Sequence, residues 1–282
     1  MFEFRADPDN RQDVPAAVWY PLPFGSDQAN ASPRLAETAR LAGVDIYAFI
    51  RPGAHLEVPD PTLRREISHG NFERHNDAVL RQLGRVAANY DHVVGMGDSA
   101  GGITVNALAV DPRQPFTHLL WRDSIMMRQL PPGIAQLGYF AYQAWESAMR
   151  PDNDVPIPPI EGLPELSTSR KLRRSAMEIY HFGSLWRGTL GQELALQVAG
   201  SQPELPILHV AVGHTFTGTF EDCTEFHRAV RSARDHAASD PAPIVFDHKP
   251  DWWHGHLLTP SGAAEDIEVA LSLSASEDAD EA

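Results

Sequence analysis

The sequence contains very little cysteine. Cys223 is the single cysteine among 282 residues, so no disulfide can form within the chain. Its stability therefore depends on a hydrophobic core, and 282 residues of which 43% are hydrophobic are enough to form one. The scarcity of cysteine is typical of a reducing compartment, and the first residues lack the basic start and apolar run of a secretory signal. We therefore expect a cytoplasmic protein.

Positive charge is scarce as well. Lys and Arg number 23 against 38 Asp and Glu, which gives a net charge of −15. A phosphate backbone would be repelled by such a chain, so no nucleic-acid partner is expected. No stretch approaches the roughly 20 apolar residues of a membrane-spanning helix, so no membrane span is expected either. The last residues are rich in acids, and 272–282 are predicted to form a disordered acidic tail.

Motifs for nucleotides and metals are missing from the sequence. The phosphate-binding pattern G-x-x-x-x-G-K-[ST] does not occur. The histidines show no ligand spacing, and the pair in His254-Gly255-His256 would need a third ligand from elsewhere. Neither a cofactor nor a metal is therefore expected.

The chain does contain a regular alternation of short apolar runs and helical patterns. In the first helical pattern Ser32 is expected to cap the start, with Pro33 at the first helical position and Gly43 after the end. Strands are predicted at 16–22, 44–50, 92–96, 117–121, 205–212 and 243–247, and helices at 32–42, 71–90 and 100–110. This alternation predicts an α/β fold, a mostly parallel sheet flanked by helices on both faces.

One region, 124–201, interrupts the alternation. It shows no clear strand, and it combines proline clusters with aromatic segments of helical character. We interpret 124–201 as a helical cap inserted into a core formed by 1–123 and 202–271. Some of its aromatic side chains are expected to line an apolar substrate pocket.

The strongest chemical signal is the run Gly97-Asp98-Ser99-Ala100-Gly101, which matches G-x-S-x-G. The pattern lies between a predicted buried strand and a predicted helix. A nucleophilic serine on such a sharp turn needs small neighbours, because the backbone is strained and crowded there. The helix that follows directs its free N–H groups towards a developing negative charge. The sequence therefore predicts Ser99 as a nucleophile.

These residues resemble the α/β-hydrolase superfamily, over about residues 15–271 in the family's order. Residues 97–102 are similar to the nucleophile elbow, the turn that carries the serine, in the family's esterase and lipase branches. Residues 18–53 are similar to the family's third strand, oxyanion loop, first helix and fourth strand. The family commonly has His-Gly where this chain has Leu22-Pro23. The resemblance implies an oxyanion hole formed by the backbone N–H groups of Phe24 and Ala100, since Pro23 has no N–H to donate.

A nucleophilic serine needs a general base. The family places its histidine after the last strand, where this chain reads DWWHGHLL at 251–258. His254-Gly255 resembles the hormone-sensitive-lipase-like branch, and Gly255-His256 resembles the family's common Gly-His-Phe pattern. We favour His254, and His256 stays open.

The histidine in turn needs an acid that orients it, and together the three residues form a catalytic triad. The sequence offers more than one candidate for this acid. After the strand at 205–212, where the family usually places it, the first acids are Glu221 and Asp222, and these are expected to open the next helix. Asp123 follows the strand at 117–121, a position used by some members with caps. Asp123 is favoured, and Asp222 is the alternate.

Together these residues predict a serine hydrolase that cleaves a small or medium carboxylic ester through an acyl-enzyme on Ser99, with no cofactor. One alternative is an acyltransferase or haloperoxidase with the same fold. Another is a catalytically inactive member that uses the fold to bind a small molecule. Amide, thioester and lactone substrates also stay open, because one nucleophile serves them all.

Overall fold

The computed structural model describes residues 1–22, 28–49, 60–99, 101–124, 190–214, 220–253, 257 and 259–273. These residues form seven strands in one sheet, of order β1-β3-β2-β4-β5-β6-β7, in which β1 is antiparallel to β3 and every other pairing is parallel. The strands are β1 (Phe2–Phe4), β2 (Ala16–Pro21), β3 (Asp45–Phe49), β4 (His92–Asp98), β5 (His118–Arg122), β6 (Ile207–His214) and β7 (Ile244–Trp253).

Helices cover both faces of the sheet. They are α1 (Gln28–Ala42), α2 (Pro61–Ser68), α3 (Glu73–Ala87), α4 (Gly101–Ala109), α5 (Leu190–Ser201), α6 (Phe220–Ala237) and α7 (Pro260–Ser272). Successive strand residues face opposite sides, so Val18 packs in a cluster with α1 and α7, and Trp19 packs in a cluster with α3 to α6. Strands that are buried on both faces read as continuous apolar runs. The alternation of such runs with helical patterns is what indicated a parallel sheet. The predicted fold class is confirmed.

Several predicted boundaries were wrong. The first helix begins at Gln28, so Ser32 is not its N-cap and Pro33 lies inside it. Proline there removes one backbone hydrogen bond, but the helix continues because Leu35 and Ala39 are buried against the sheet. The last strand extends beyond the predicted 243–247 to Trp253, which pairs with His214 of β6.

The segment predicted as a cap lies mostly outside the described residues. Its final part is α5, in which Ala195, Val198 and Ala199 are fully buried in the cluster with α4 and α6. The boundary between core and cap stays a prediction, as does the tail at 272–282. None of the helices within the described ranges has the length and apolar character that crossing a bilayer requires.

Candidate functional site

Ser99 lies at a sharp turn between β4 and α4. Its φ of 49° is in the left-handed region, which a residue with a side chain rarely adopts. Two backbone hydrogen bonds hold this turn: the Ser99 N–H donates to the carbonyl of Arg122 at 3.0 Å, and Gly102 N–H donates to the carbonyl of Ser99 at 3.2 Å. The residue is 7% exposed. The strand-turn-helix context predicted for Ser99 is therefore present.

The glycines around Ser99 allow the helix to approach the sheet closely. A Cβ on Gly97 would lie 2.6 Å from the Cα of Gly102, and a Cβ on Gly102 would overlap the Ser124 hydroxyl. A Cβ on Gly101 would lie 3.2 Å from the carbonyl oxygen of Pro21 on β2. Side chains at these positions would push α4 away from β4 and change the turn at Ser99.

Asp98, the residue before Ser99, is buried in a charged network. Arg122 lies opposite it on β5, and its Nη1 donates to both Asp98 carboxylate oxygens at 3.1 Å. Tyr20 Oη on β2 donates to Asp98 Oδ2 at 2.8 Å. Burial, followed by the charge of Asp98, raises the pKa of Tyr20 well above its ordinary value, so this phenol stays a donor.

Arg122 extends the network towards the end of the chain. Its Nε donates to Asp266 Oδ2 on α7 at 2.7 Å, and its Nη2 donates to the carbonyl of Leu257 at 2.6 Å. Lys249 on β7 donates to the other oxygen of Asp266 at 2.7 Å. Burial alone would lower the pKa of Arg122, but the charges of Asp98 and Asp266 outweigh it, so the guanidinium stays protonated.

Asp123 follows β5 directly and is fully buried. Its φ is 40°, and its N–H donates to the carbonyl of Val210 on β6 at 2.8 Å. Burial, followed by the negative charge of Asp123, raises the pKa of the Cys223 thiol to about 12. The pKa of nearby His209 is lowered to about 3, mainly by burial, so its ring is neutral.

The structure brings Ser99 and Asp123 to one edge of the sheet. The strands from β2 to β7 run parallel, so the residues that follow β4 and β5 lie at the same carboxyl edge. Asp222 lies in the first turn of α6 as expected, where it is partly exposed. Phe24, Ala100, His254 and His256 lie outside the described residues. The last two come after β7 in the sequence.

Comparison with solved structures shows the same architecture over nearly the whole chain. An esterase from Pyrococcus furiosus superposes with a TM-score of 0.56 at 10% identity, over 95% of this chain and 84% of that one. The N-formylmaleamic acid deformylase from Pseudomonas putida superposes with a TM-score of 0.55 at 15% identity, over 96% and 94%. A bromoperoxidase from Bacillus anthracis gives 0.51 at 13% identity, over 96% and 92%. The chain has the α/β-hydrolase fold. No protein-family model and no curated protein matches the sequence.

Within the α/β-hydrolase fold, Ser99 occupies the turn after the central strand β4. The residues missed by the sequence analysis are those behind this turn, Tyr20, Arg122 and Asp266. No local pattern identifies them, because Arg122 is 24 residues from Asp98 and 144 from Asp266 along the chain. Only the positions of β5 beside β4 and of α7 beneath the sheet bring them together. The described residues contain no group of three or more side chains suited to a metal ion.

Proposed function

We propose that this chain is a serine hydrolase that cleaves a small or medium carboxylic ester through an acyl-enzyme on Ser99. The observation that carries the proposal is the left-handed backbone of Ser99 at the β4–α4 turn, with glycines on both sides. Strain of this kind persists only where the surrounding structure imposes it, and it is concentrated at active sites. The similar esterase and deformylase structures support a hydrolytic reaction on this fold.

The proposed reaction uses one base and two N–H donors. His254 or His256 removes the proton from the Ser99 hydroxyl, and the resulting oxygen attacks the acyl carbon of the ester. The backbone N–H groups of Phe24 and Ala100 stabilise the oxyanion, assisted by the N-terminus of α4. The same histidine then protonates the leaving alcohol and activates the water that releases the acid.

Asp123 is the better candidate for the acid that orients the histidine. It is fully buried, so its charge is little screened, and it follows β5, the strand beside that of Ser99. Asp222 is partly exposed and belongs to the first turn of α6, where a carboxylate stabilises the helix without any catalytic role. Asp123 is therefore proposed as the acid and Asp222 as the alternate.

The proposal is tested by labelling with a fluorophosphonate, which reacts with activated serines. We expect stoichiometric labelling of the wild type and none of Ser99→Ala. Among His254→Ala and His256→Ala, the variant that fails to label identifies the base. Asp123→Asn should slow labelling by roughly 10³-fold or more, because the base loses its orientation, and Asp222→Asn serves as the matched control.

Two outcomes would redirect the assignment. A slow Asp222→Asn beside a fast Asp123→Asn would move the acid to Asp222. No labelling of the folded wild type would contradict the hydrolase. It would favour a catalytically inactive protein that binds a small molecule, and this ligand would still bind to Ser99→Ala. The similar bromoperoxidase supports a haloperoxidase as a second candidate. Product analysis with bromide and hydrogen peroxide separates haloperoxidation from hydrolysis, and product analysis with an added alcohol separates acyl transfer from hydrolysis.

A further inference from the structure

Arg122 connects two segments that lie far apart in the sequence. Its Nη1 binds the carboxylate of Asp98, whose backbone continues directly into Ser99. Its Nη2 binds the carbonyl of Leu257, which follows His256 directly in the chain. One planar guanidinium thus binds both the side chain of the residue before Ser99 and the backbone carbonyl of the residue after His256.

The guanidinium itself has little freedom to move. Arg122 is fully buried, as are the carboxylates of Asp98 and Asp266. Asp266 Oδ2 accepts from Nε at 2.7 Å, and Lys249 holds the other oxygen of the same carboxylate. The arginine is therefore held from three directions, by Asp98, by Asp266 and by the carbonyl of Leu257.

We propose that Arg122 is a positioning residue, which sets the distance between the Ser99 turn and the segment that carries the general base. The proposal rests on the proposed function, because it needs a reaction between these two segments. Arg122 acts through the side chain of Asp98 and the backbone carbonyl of Leu257. A histidine displaced by about 1 Å from its serine can lose on the order of 10²-fold in rate.

Arg122→Lys tests this, since lysine keeps the charge but cannot bind Asp98, Asp266 and Leu257 in one plane. The chain offers a matched control in Arg234, which is also buried and donates from Nη1 to the carbonyl of Ala242 at 2.9 Å. That bond holds the chain just before the amino end of β7, whereas Arg122 holds it beyond the carboxyl end. Both lysine variants lose a buried arginine that binds a backbone carbonyl.

The measurement is kcat and KM for a p-nitrophenyl ester, with the active fraction counted by complete fluorophosphonate labelling. We expect Arg122→Lys to lower kcat at least about tenfold while KM changes less than about threefold, because positioning acts in the transition state. Arg234→Lys should keep kcat within about twofold of the wild type, whatever it loses in stability. Equal kcat values for Arg122→Lys and the wild type, or equal losses in both lysine variants, would overturn the proposal.

A second variant covers the case in which Arg122→Lys does not fold. Asp266→Asn leaves Arg122 in place but removes the charge that orients its Nε, so we expect a smaller fall in kcat with unchanged KM. An unchanged kcat in Asp266→Asn would then overturn the proposal. An active wild type with unaffected variants contradicts only this inference, whereas a wild type without turnover or labelling contradicts the proposed function and this inference with it.

Discussion

At the scale of single residues, the backbone conformations of Ser99 and Asp123 are the unusual feature. They are the two non-glycine residues with positive φ in the described ranges, and they follow neighbouring strands. A left-handed conformation costs an L-residue roughly 1–2 kcal/mol, so these two residues reduce the stability of the fold. The cost is understandable if both side chains must point towards the same reacting group.

His209 is a second unusual residue, in the interior next to Asp123. Its ring is fully buried among Trp121, Phe226 and Phe246, and neither ring nitrogen has a hydrogen-bond partner among the described residues. Burial lowers its pKa to about 3 from the ordinary 6.5. The folded protein therefore keeps this ring neutral under conditions in which the unfolded chain protonates it.

The free energy of unfolding should consequently depend on pH through His209. Below about pH 6.5 the unfolded chain binds a proton at His209 that the folded chain does not bind. The free energy of unfolding therefore keeps its full value above that pH and falls as the pH decreases towards 3. The loss between about pH 6.5 and about pH 5 is about 2 kcal/mol. His209→Phe removes this contribution and keeps an aromatic ring among aromatic neighbours.

Urea unfolding of the wild type and His209→Phe at about pH 7 and about pH 5 measures the difference. We expect the variant to lose about 2 kcal/mol less than the wild type over this interval. The other histidines are the same in both proteins, so their contributions cancel. Parallel pH dependences would show that His209 is protonated in the folded state as easily as in the unfolded chain.

At the scale of elements, the packing of α4 on β4 determines the conformation of the Ser99 turn. The backbones approach so closely at Gly97 and Gly102 that neither position has room for a methyl group. Ser124 contributes to the same contact, because its hydroxyl donates to the carbonyl of Gly97 at 3.0 Å. The turn therefore depends on small residues from two strand ends and one helix.

Gly97→Ala should disturb this packing, since its Cβ would lie 2.6 Å from the Cα of Gly102. We expect a loss of about 1–3 kcal/mol in the free energy of unfolding from the overpacking. The accompanying shift of Ser99 should slow ester hydrolysis by on the order of 10²-fold. Urea unfolding and kcat/KM measure the two effects.

Gly84→Ala on α3 is the control for this substitution. Apart from the neighbouring backbone of its own helix, no atom of the described residues lies within 4 Å of the Cβ that it would add. Alanine should stabilise this helix interior by about 0.5–1 kcal/mol and leave activity unchanged. Wild-type activity in Gly97→Ala would show that the close approach of α4 does not set the position of Ser99.

The sequence predicted the central elements well and the peripheral ones poorly. The strands β2 to β6 were located to within a few residues, because burial on both faces makes them short apolar runs between turn residues. β1 has only three residues, and α2 follows a proline-rich stretch, so neither has a periodicity long enough to be recognised. Ser32 looked like a cap because local signals cannot show that burial carries α1 across Pro33.

At the scale of the whole molecule, the parallel sheet brings Ser99 and Asp123 together. The residues after β4 and β5 lie at one edge because these strands run in the same direction, and this much follows from the sequence pattern. The network of Arg122 does not, since its partners come from β4, α7 and Leu257. Such contacts depend on the order of strands in the sheet, which one sequence does not reveal.

In the proposed reaction the ester acylates Ser99, and water then cleaves the bond between the acyl group and Ser99. The most direct measurement is the intact mass of the protein at successive times after mixing with a p-nitrophenyl ester. We predict a transient increase equal to one acyl group, located on Ser99 by peptide mapping, and no increase in Ser99→Ala. Release of p-nitrophenol by the wild type without any acylated protein, or equal acylation of Ser99→Ala, would contradict the acyl-enzyme mechanism.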